Sequence, residues 1–311
     1  MLSTVAHHRR CAGRLADVGL DLPEVRNVDL DGPVRYRAWD GPEDTTFVLL
    51  HGLGGTHLNW APAAPGLSGL GRVLALDLSG FGGTPRAGRG SGLMDQRRLV
   101  SAFARELGTG RVILAGNSMG GAVAMLAAAV EPEAAGGLIL TSSVFPWARG
   151  GAPHPVILTA FAAYRSPVAG EWLVRRRFGP VDAERAVRLS MRMIAADPST
   201  VPDELIGLMA AEIRARAEDR DAGPAFLDAA RSMLRLGRRP AIAARAMAAV
   251  RCPVLVLHGG RDRLVPVAFA EAALRAHPSW RGRIFHDLGH VPQIEAPGRW
   301  LSAVADWHTD L

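Results

Sequence analysis

Ser118 stands between Gly116 and Gly120 in the stretch Val112–Gly121, VILAGNSMGG. A hydroxyl is a weak nucleophile at neutral pH. It needs a base to take its proton, and the base needs a carboxylate to orient it. His290, in a Gly-His loop near the C-terminus, is the best base. Asp262, in the turn Gly260-Arg261-Asp262-Arg263, is the best orienting acid. The chain order Ser, Asp, His is that of a serine elbow on an α/β sheet. The chemistry is attack on a carbonyl. The tetrahedral oxyanion that results needs N–H donors, each lowering the barrier by roughly 3–4 kcal/mol. One candidate is the backbone N–H of Met119. The other is that of Leu53, in His51-Gly52-Leu53-Gly54-Gly55.

The competing residues fit worse. His51 lies beside two glycines, where a structural role suits it. His258 sits at a strand end, upstream of the acid, and His286 ends the last strand. Asp77 is a possible acid, but its Gly-rich turn ending in Thr84-Pro85 suits a loop anchor better. After the strand Leu138–Leu140, where an acid could stand, the chain has Ser142 and Ser143.

The elements that position these groups follow from periodicity. Val25–Leu30 and Val34–Trp39 alternate like half-exposed strands, and Asp31-Gly32 between them signals a hairpin. Phe47–Leu50, Val73–Leu76, Val112–Ala115, Leu138–Leu140 and Val254–Leu257 are short apolar runs, hence buried strands. Arg283–Phe285 is the last strand. Asp95–Leu107 has helical spacing, a small-residue helix runs from the elbow into Ala122–Ala129, and Ala241–Val250, Phe269–Ala276 and Arg299–Trp307 are further helices. From about Phe145 to Arg239 the alternation stops. Helical patterns punctuated by Pro and Gly replace it (157–164, 170–178, 183–195, 203–217 and 225–236). The expectation is an N-terminal extension (1–24), an α/β core (25–144 and 240–311) and a helical cap inserted in it (145–239). His51, Asp77, Ser118, Ser142, Asp262 and His290 all follow strands, so they share the rim where ligands bind in such sheets.

Composition excludes other classes. The chain has 311 residues, 48% hydrophobic and 21% charged, which fits a folded globular protein. The formal net charge is +6, every basic side chain is arginine, and the arginines are spread along the chain. A nucleic-acid surface would need a clustered patch, so no nucleic-acid partner is expected. Arg175–Arg177, the densest group, reads as a solvated helix face. Cys11 and Cys252 lie far apart, without a disulfide framework. No apolar run is long enough to span a bilayer, and no leader pattern is visible, so the expected location is cytoplasmic. His7-His8 and the loop Glu218-Asp219-Arg220-Asp221 read as solvated segments, and neither a metal nor a cofactor is called for.

Five motifs in order carry a resemblance. His51-Gly-Leu-Gly-Gly, Asp77-Leu-Ser-Gly-Phe-Gly-Gly-Thr, Gly116-Asn-Ser-Met-Gly-Gly, Asp262-Arg-Leu-Val-Pro and Gly289-His290-Val-Pro-Gln-Ile-Glu look like the α/β-hydrolase superfamily. The resemblance implies an eight-stranded, mostly parallel sheet flanked by helices, a cap over the site and a Ser118–His290–Asp262 triad. A serine at 118 separates the chain from haloalkane dehalogenases and epoxide hydrolases, whose nucleophile is Asp. The elbow Asn117-Ser118-Met119-Gly120-Gly121 is similar to that of meta-cleavage-product C–C hydrolases. Those carry a Trp after the catalytic His, where this chain has Val291. Their cap arginine has candidates here in Arg175, Arg176, Arg177, Arg188 and Arg192. Asn117, Val291 and Trp147 are the expected substrate contacts. Of the larger cap side chains (Phe145, Trp147, Phe161, Trp172, Met191, Met193 and Met209), most are expected to pack the cap and a few to line an apolar pocket.

Three functions remain open on the sequence. The first is a serine hydrolase that cleaves an ester or thioester of a small, apolar molecule through an acyl-enzyme. The second is a C–C bond hydrolase of a meta-cleavage-type dienoate. The third is a non-catalytic small-molecule receptor on the same fold.

Overall fold

A computed structural model describes residues 20–144, 153–178 (side chains through 174) and 182–311. Eight strands form one sheet: β1 (Val25–Asp29), β2 (Pro33–Trp39), β3 (Thr45–Leu50), β4 (Arg72–Leu76), β5 (Arg111–Asn117), β6 (Gly137–Thr141), β7 (Val254–Gly259) and β8 (Arg281–Phe285). Their order is β1-β2-β4-β3-β5-β6-β7-β8. β1 and β2 pair antiparallel, as do β2 and β4, and every other neighbour is parallel. The expected hairpin at the N-terminal edge is present. Its turn places Asp31 (φ 55°) and Gly32 (φ 114°) in the left-handed region, where Asp and Gly are the tolerant residues.

The apolar runs are buried because both sheet faces are covered. Alternate side chains of the central strands enter opposite layers. Val48 and Leu50 of β3, Leu114 of β5 and Val256 of β7 enter one layer. Phe47 and Leu49, Ile113, and Leu255 and Leu257 enter the other. The first layer is closed by α1 (Leu93–Leu107), α2 (Met119–Val130) and, after the insertion, α8 (Pro240–Ala249) and α9 (Val267–Ala276). The second is closed by α10 (Pro297–His308), whose Trp300 is fully buried against Trp60 with ring centroids 5.6 Å apart. The edge strands β1 and β8 are mostly exposed and short, and they carry arginines, which discourages edge-to-edge pairing.

Between β6 and β7 lie α3 (Pro155–Arg165), α4 (Pro167–Phe178), α5 (Ala183–Ile194), α6 (Asp203–Ala215) and α7 (Ala222–Gly237). A third apolar cluster joins this insertion to the core loops. It contains Val187, Met191, Leu205, Ile206 and Met209 from the insertion, and Leu58, Val291 and Ile294 from the core. Phe145, Trp147 and the side chains of Arg175–Arg177 lie outside the described residues. So do residues 1–19, including His7, His8 and Cys11. Cys252 precedes β7 rather than opening it and is half-buried, and burial pushes its thiol up to about 11.

Two glycines on this framework respond to a methyl group in opposite ways. At Gly116 a Cβ would overlap the backbone of Gly120 and Gly121. Gly207, exposed in the middle of α6, has nothing within 4 Å of the same position. Urea unfolding should therefore show Gly116→Ala destabilised by about 3 kcal/mol or more, or unable to fold. Gly207→Ala should gain roughly 0.5–1 kcal/mol.

Candidate active site

Ser118 sits at the junction of β5 and α2 with φ 56° and ψ −116°. Non-glycine residues rarely adopt this geometry, which costs of order 1–3 kcal/mol. Backbone bonds hold it. Ser118 N donates to Thr141 O (3.0 Å), and Gly121 N, Ala122 N and Val144 N donate to Ser118 O (3.1, 3.3 and 3.3 Å). The glycines around it leave room for backbone to press on backbone. A Cβ on Gly120 would overlap the carbonyls of Leu50 and His51 at the end of β3, and one on Gly121 would strike Ser143. The serine is therefore fixed at the carboxyl rim, at the start of a helix.

His290 and Asp262 meet there. His290 Nδ1 donates to Asp262 Oδ2 at 2.7 Å, which leaves Nε2 as the acceptor nitrogen. Asp262 Oδ1 takes the backbone N–H groups of Leu264 (2.8 Å) and Val265 (2.9 Å). Burial alone would raise the Asp262 carboxyl. The facing His290, His258 and the Val265 N–H outweigh that and hold it below its ordinary range. His258 is fully buried, with Nε2 3.4 Å from Asp262 Oδ2, the oxygen that His290 faces, and 2.9 Å from the Val265 carbonyl. A nitrogen facing a carbonyl must donate, so the ring proton is on Nε2. Burial pushes the pKa of this imidazole down. Among the described residues no hydrogen bond joins Ser118 Oγ to His290. In apo sites this contact is often long and tightens with substrate.

Asn117 does not have the role expected of it. It is the last residue of β5, and its amide donates both hydrogens to backbone, at Thr141 O (3.2 Å) and His290 O (3.0 Å). No donor is left for a substrate. The side chain instead ties the serine turn to the histidine loop. Val291 also differs from the expectation, being 1% exposed and packed with Met191 and Leu205 of the insertion. Trp147 lies outside the described residues.

The Leu53 loop abuts the serine. A Cβ on Gly52 would come within 3.2 Å of Ser118 Cβ. Among the described residues, neither Leu53 N nor Met119 N is taken by another protein group. His51 determines where the first of these points. Its Nδ1 lies 2.7 Å from Gly52 O, and its Nε2 accepts from Leu78 N at 3.0 Å, so the ring is the Nδ1–H tautomer. Gly55 N donates to the same Gly52 carbonyl (3.0 Å). Gly52 O and Leu53 N belong to one planar peptide, so anchoring the carbonyl aims the N–H. Burial pushes the His51 imidazole down to about 4.

Asp77 is an anchor, as its turn suggests, with partners that sequence reading missed. It is fully buried. Oδ1 accepts from His57 N (2.7 Å) and His57 Nδ1 (3.0 Å), and Oδ2 from Arg35 Nε (2.6 Å) and Gly83 N (2.8 Å). Burial would raise its carboxyl, but His57 and Arg35 outweigh this and hold it far below the usual range. Arg35 also pairs with Glu212 on α6 of the insertion. Only the pairing of β2 with β4 brings Arg35 to Asp77, so no local pattern reveals it. His258 has the same invisibility. Glu295 was visible as part of the His290 motif but carried no assigned role.

A profile of the alpha/beta hydrolase family matches residues 47–304, and the chain belongs to that family. It is similar to the 2-hydroxy-6-oxo-2,4-heptadienoate hydrolase of Pseudomonas putida, at 30% identity over 91% of this chain and 96% of that protein. It is also similar to the dihydrolipoyllysine-residue acetyltransferase component of the acetoin cleaving system of Pseudomonas putida. The identity is 28% over 88% of this chain, which spans 66% of that protein's length. Among solved structures, a haloalkane dehalogenase from Bradyrhizobium elkani superposes with a TM-score of 0.76 at 22% identity, covering 93% of this chain and 98% of that one. That likeness concerns the fold. The chain thus has the family's fold. Among its described residues no helix is long and apolar enough to cross a membrane.

The neutral His51 links stability to pH. The unfolded imidazole titrates near 6.5 and the folded one near 4, so the unfolded state takes up its proton first as pH falls. The stability it carries is complete above about pH 6.5 and lost progressively down to pH 4, about 3 kcal/mol in all. His258 acts in the same direction. Urea unfolding at steps from pH 7 to 4 should show this loss. His51→Asn, which keeps a donor near the Nδ1 position, should make the acid limb shallower by about one proton. An unchanged slope would refute the assignment.

Proposed function

We propose that this protein is a serine hydrolase that cleaves an ester or thioester of a small, largely apolar substrate. The observation that carries the reading is the His290–Asp262 pair at 2.7 Å, with the second aspartate oxygen saturated by backbone, beside a strained serine elbow. Ser118 Oγ attacks the carbonyl carbon while His290 Nε2 takes its proton. Asp262 holds the imidazole in the Nδ1–H tautomer and stabilises the imidazolium. The oxyanion is received by Leu53 N and Met119 N, the latter at the positive end of α2. His290 then protonates the leaving group, and water, activated by the same base, releases the acid from Ser118. The inserted helices act as a cap that excludes water and sets which acyl groups fit.

Kinship favours a second reading. The heptadienoate hydrolase relative aligns over nearly its whole length, which supports C–C cleavage of a dienoate by the same three residues. Against it stands Val291, packed beneath the insertion where those enzymes carry Trp.

Folded wild-type protein should be labelled at Ser118 by a fluorophosphonate and should turn over p-nitrophenyl esters with a chain-length optimum. Ser118→Ala should lose labelling and at least roughly 10⁴-fold in kcat, and Asp262→Asn a comparable amount. A dienoate bleached faster than any ester would replace the ester reading with the C–C one. A folded protein that neither labels nor turns over either class, yet binds small molecules tightly, would sink both in favour of a receptor.

A further inference from the structure

The histidine loop is hydrogen-bonded directly to the insertion, and one buried carboxylate makes the connection. Helix α5 ends at Ile194, and Ala195 after it is extended (φ −84°, ψ 147°), so the chain runs on as a short strap. His290 N donates to Ile194 O at 2.7 Å. Glu295, 7% exposed in the one-turn helix Pro292–Glu295 that follows the loop, spans the two segments. Its Oε1 accepts from Gly289 N (2.9 Å) and its Oε2 from Ala196 N (2.7 Å). One oxygen thus holds the peptide just before His290, and the other holds the strap. The close approach depends on Gly289, where a Cβ would collide with Ala196 N and Ile194 O. The acid's loop is tied to the last turn of α5, just before the strap, since Arg263 Nη1 donates to Arg192 O at 2.9 Å.

A buried carboxylate is held in place by the donors that it satisfies. Here the closest donors are two backbone N–H groups from segments about a hundred residues apart, neither with another acceptor among the described residues, and the N–H groups of Asp197 and Val291 face the same carboxylate. Losing the carboxylate would leave both unsatisfied and release the loop from the strap. We propose that Glu295 is a positioning residue for the base: by coupling segment 194–196 to the His290 loop, it makes the seating of the insertion and the placing of the imidazole one event. The proposal rests on His290 being the base. Glu295 itself touches no reacting atom.

The test uses the full chain with Glu295→Gln, which offers one acceptor oxygen for two donors. A second variant, Ala196→Pro, removes only the strap's N–H and leaves the loop's own sequence intact; the extended Ala195 before it suits a following proline. In both, the fluorophosphonate labelling rate and kcat for p-nitrophenyl esters should fall roughly 10- to 100-fold per folded molecule, with KM little changed. Hydrogen exchange should rise together at residues 194–196 and 288–291. If the variants lose only melting temperature, with kcat and labelling rate of the folded enzyme unchanged, the proposal is overturned. Failure of the hydrolase reading is separately visible, as a folded wild type that does not label. The coupling is then decided by exchange alone, and a rise confined to one segment refutes it.

Discussion

The site depends on the close approach of backbones at the elbow. β5 and α2 meet with no side chain between Gly116 and Gly120, and the start of the helix presses on the last carbonyls of β3. Only in that contact does Ser118 keep a conformation that a free chain would abandon. The bond from Ser118 N to Thr141 O joins the turn to the end of β6, so three strand ends determine one serine. A flexible loop could present the same hydroxyl but not hold it. Immobilisation is what lets a base and two N–H donors act together.

The surroundings are dry, and their polar groups are settled by pairing. His51 and His258 are fully buried, and burial disfavours their charged forms. Each uses a ring proton on a backbone carbonyl, so each serves as a rigid neutral brace. His57 is oriented by its bonds beside Asp77: its Nε2 accepts from Arg37 Nε at 2.9 Å, which leaves a ring proton on Nδ1 for the carboxylate. The buried acids face donors instead. Asp77 and Asp262 are each saturated with N–H groups or cations, and in a low-dielectric interior this keeps a carboxylate ionised. His290 gives its Nδ1 to Asp262, and its second nitrogen has no protein partner among the described residues.

Much of this was legible in the sequence, and for definable reasons. Strand runs, the serine turn and the Ser–Asp–His order are local or ordinal features, and a doubly covered parallel sheet leaves a signature of unbroken apolar runs. The core strands lie where those runs lie, one or two residues longer at most ends. The side-chain directions at 117 and 291 were not legible. Asn117 precedes the serine, but the pleat at the end of β5 turns it toward β6 and the histidine loop. Val291 follows the base in sequence, yet its surroundings come from α5 and α6, over eighty residues away in sequence. The Arg35–Asp77 pair is a product of strand order, and strand order has no local spelling.

The insertion is held unequally along its margin. On one side segment 192–196 is hydrogen-bonded to both candidate triad loops, by His290 N to Ile194 O and by the Arg263 side chain to Arg192 O, with Met191 and Val187 buried beside it. On another, α6 reaches the Asp77 region through the Arg35–Glu212 pair and through Arg216 Nη2 to Gly80 O at 2.8 Å. The α3 helix is packed more shallowly: none of its side chains is fully buried, and Val156 and Leu158 are exposed, although its N-cap His154 N donates to Arg263 O beside the acid at 2.9 Å. Local opening takes place where least apolar burial is lost. That criterion selects α3 and spares the 192–196 strap. The physical division is between a margin closed by burial and backbone bonds and one left to shallow packing.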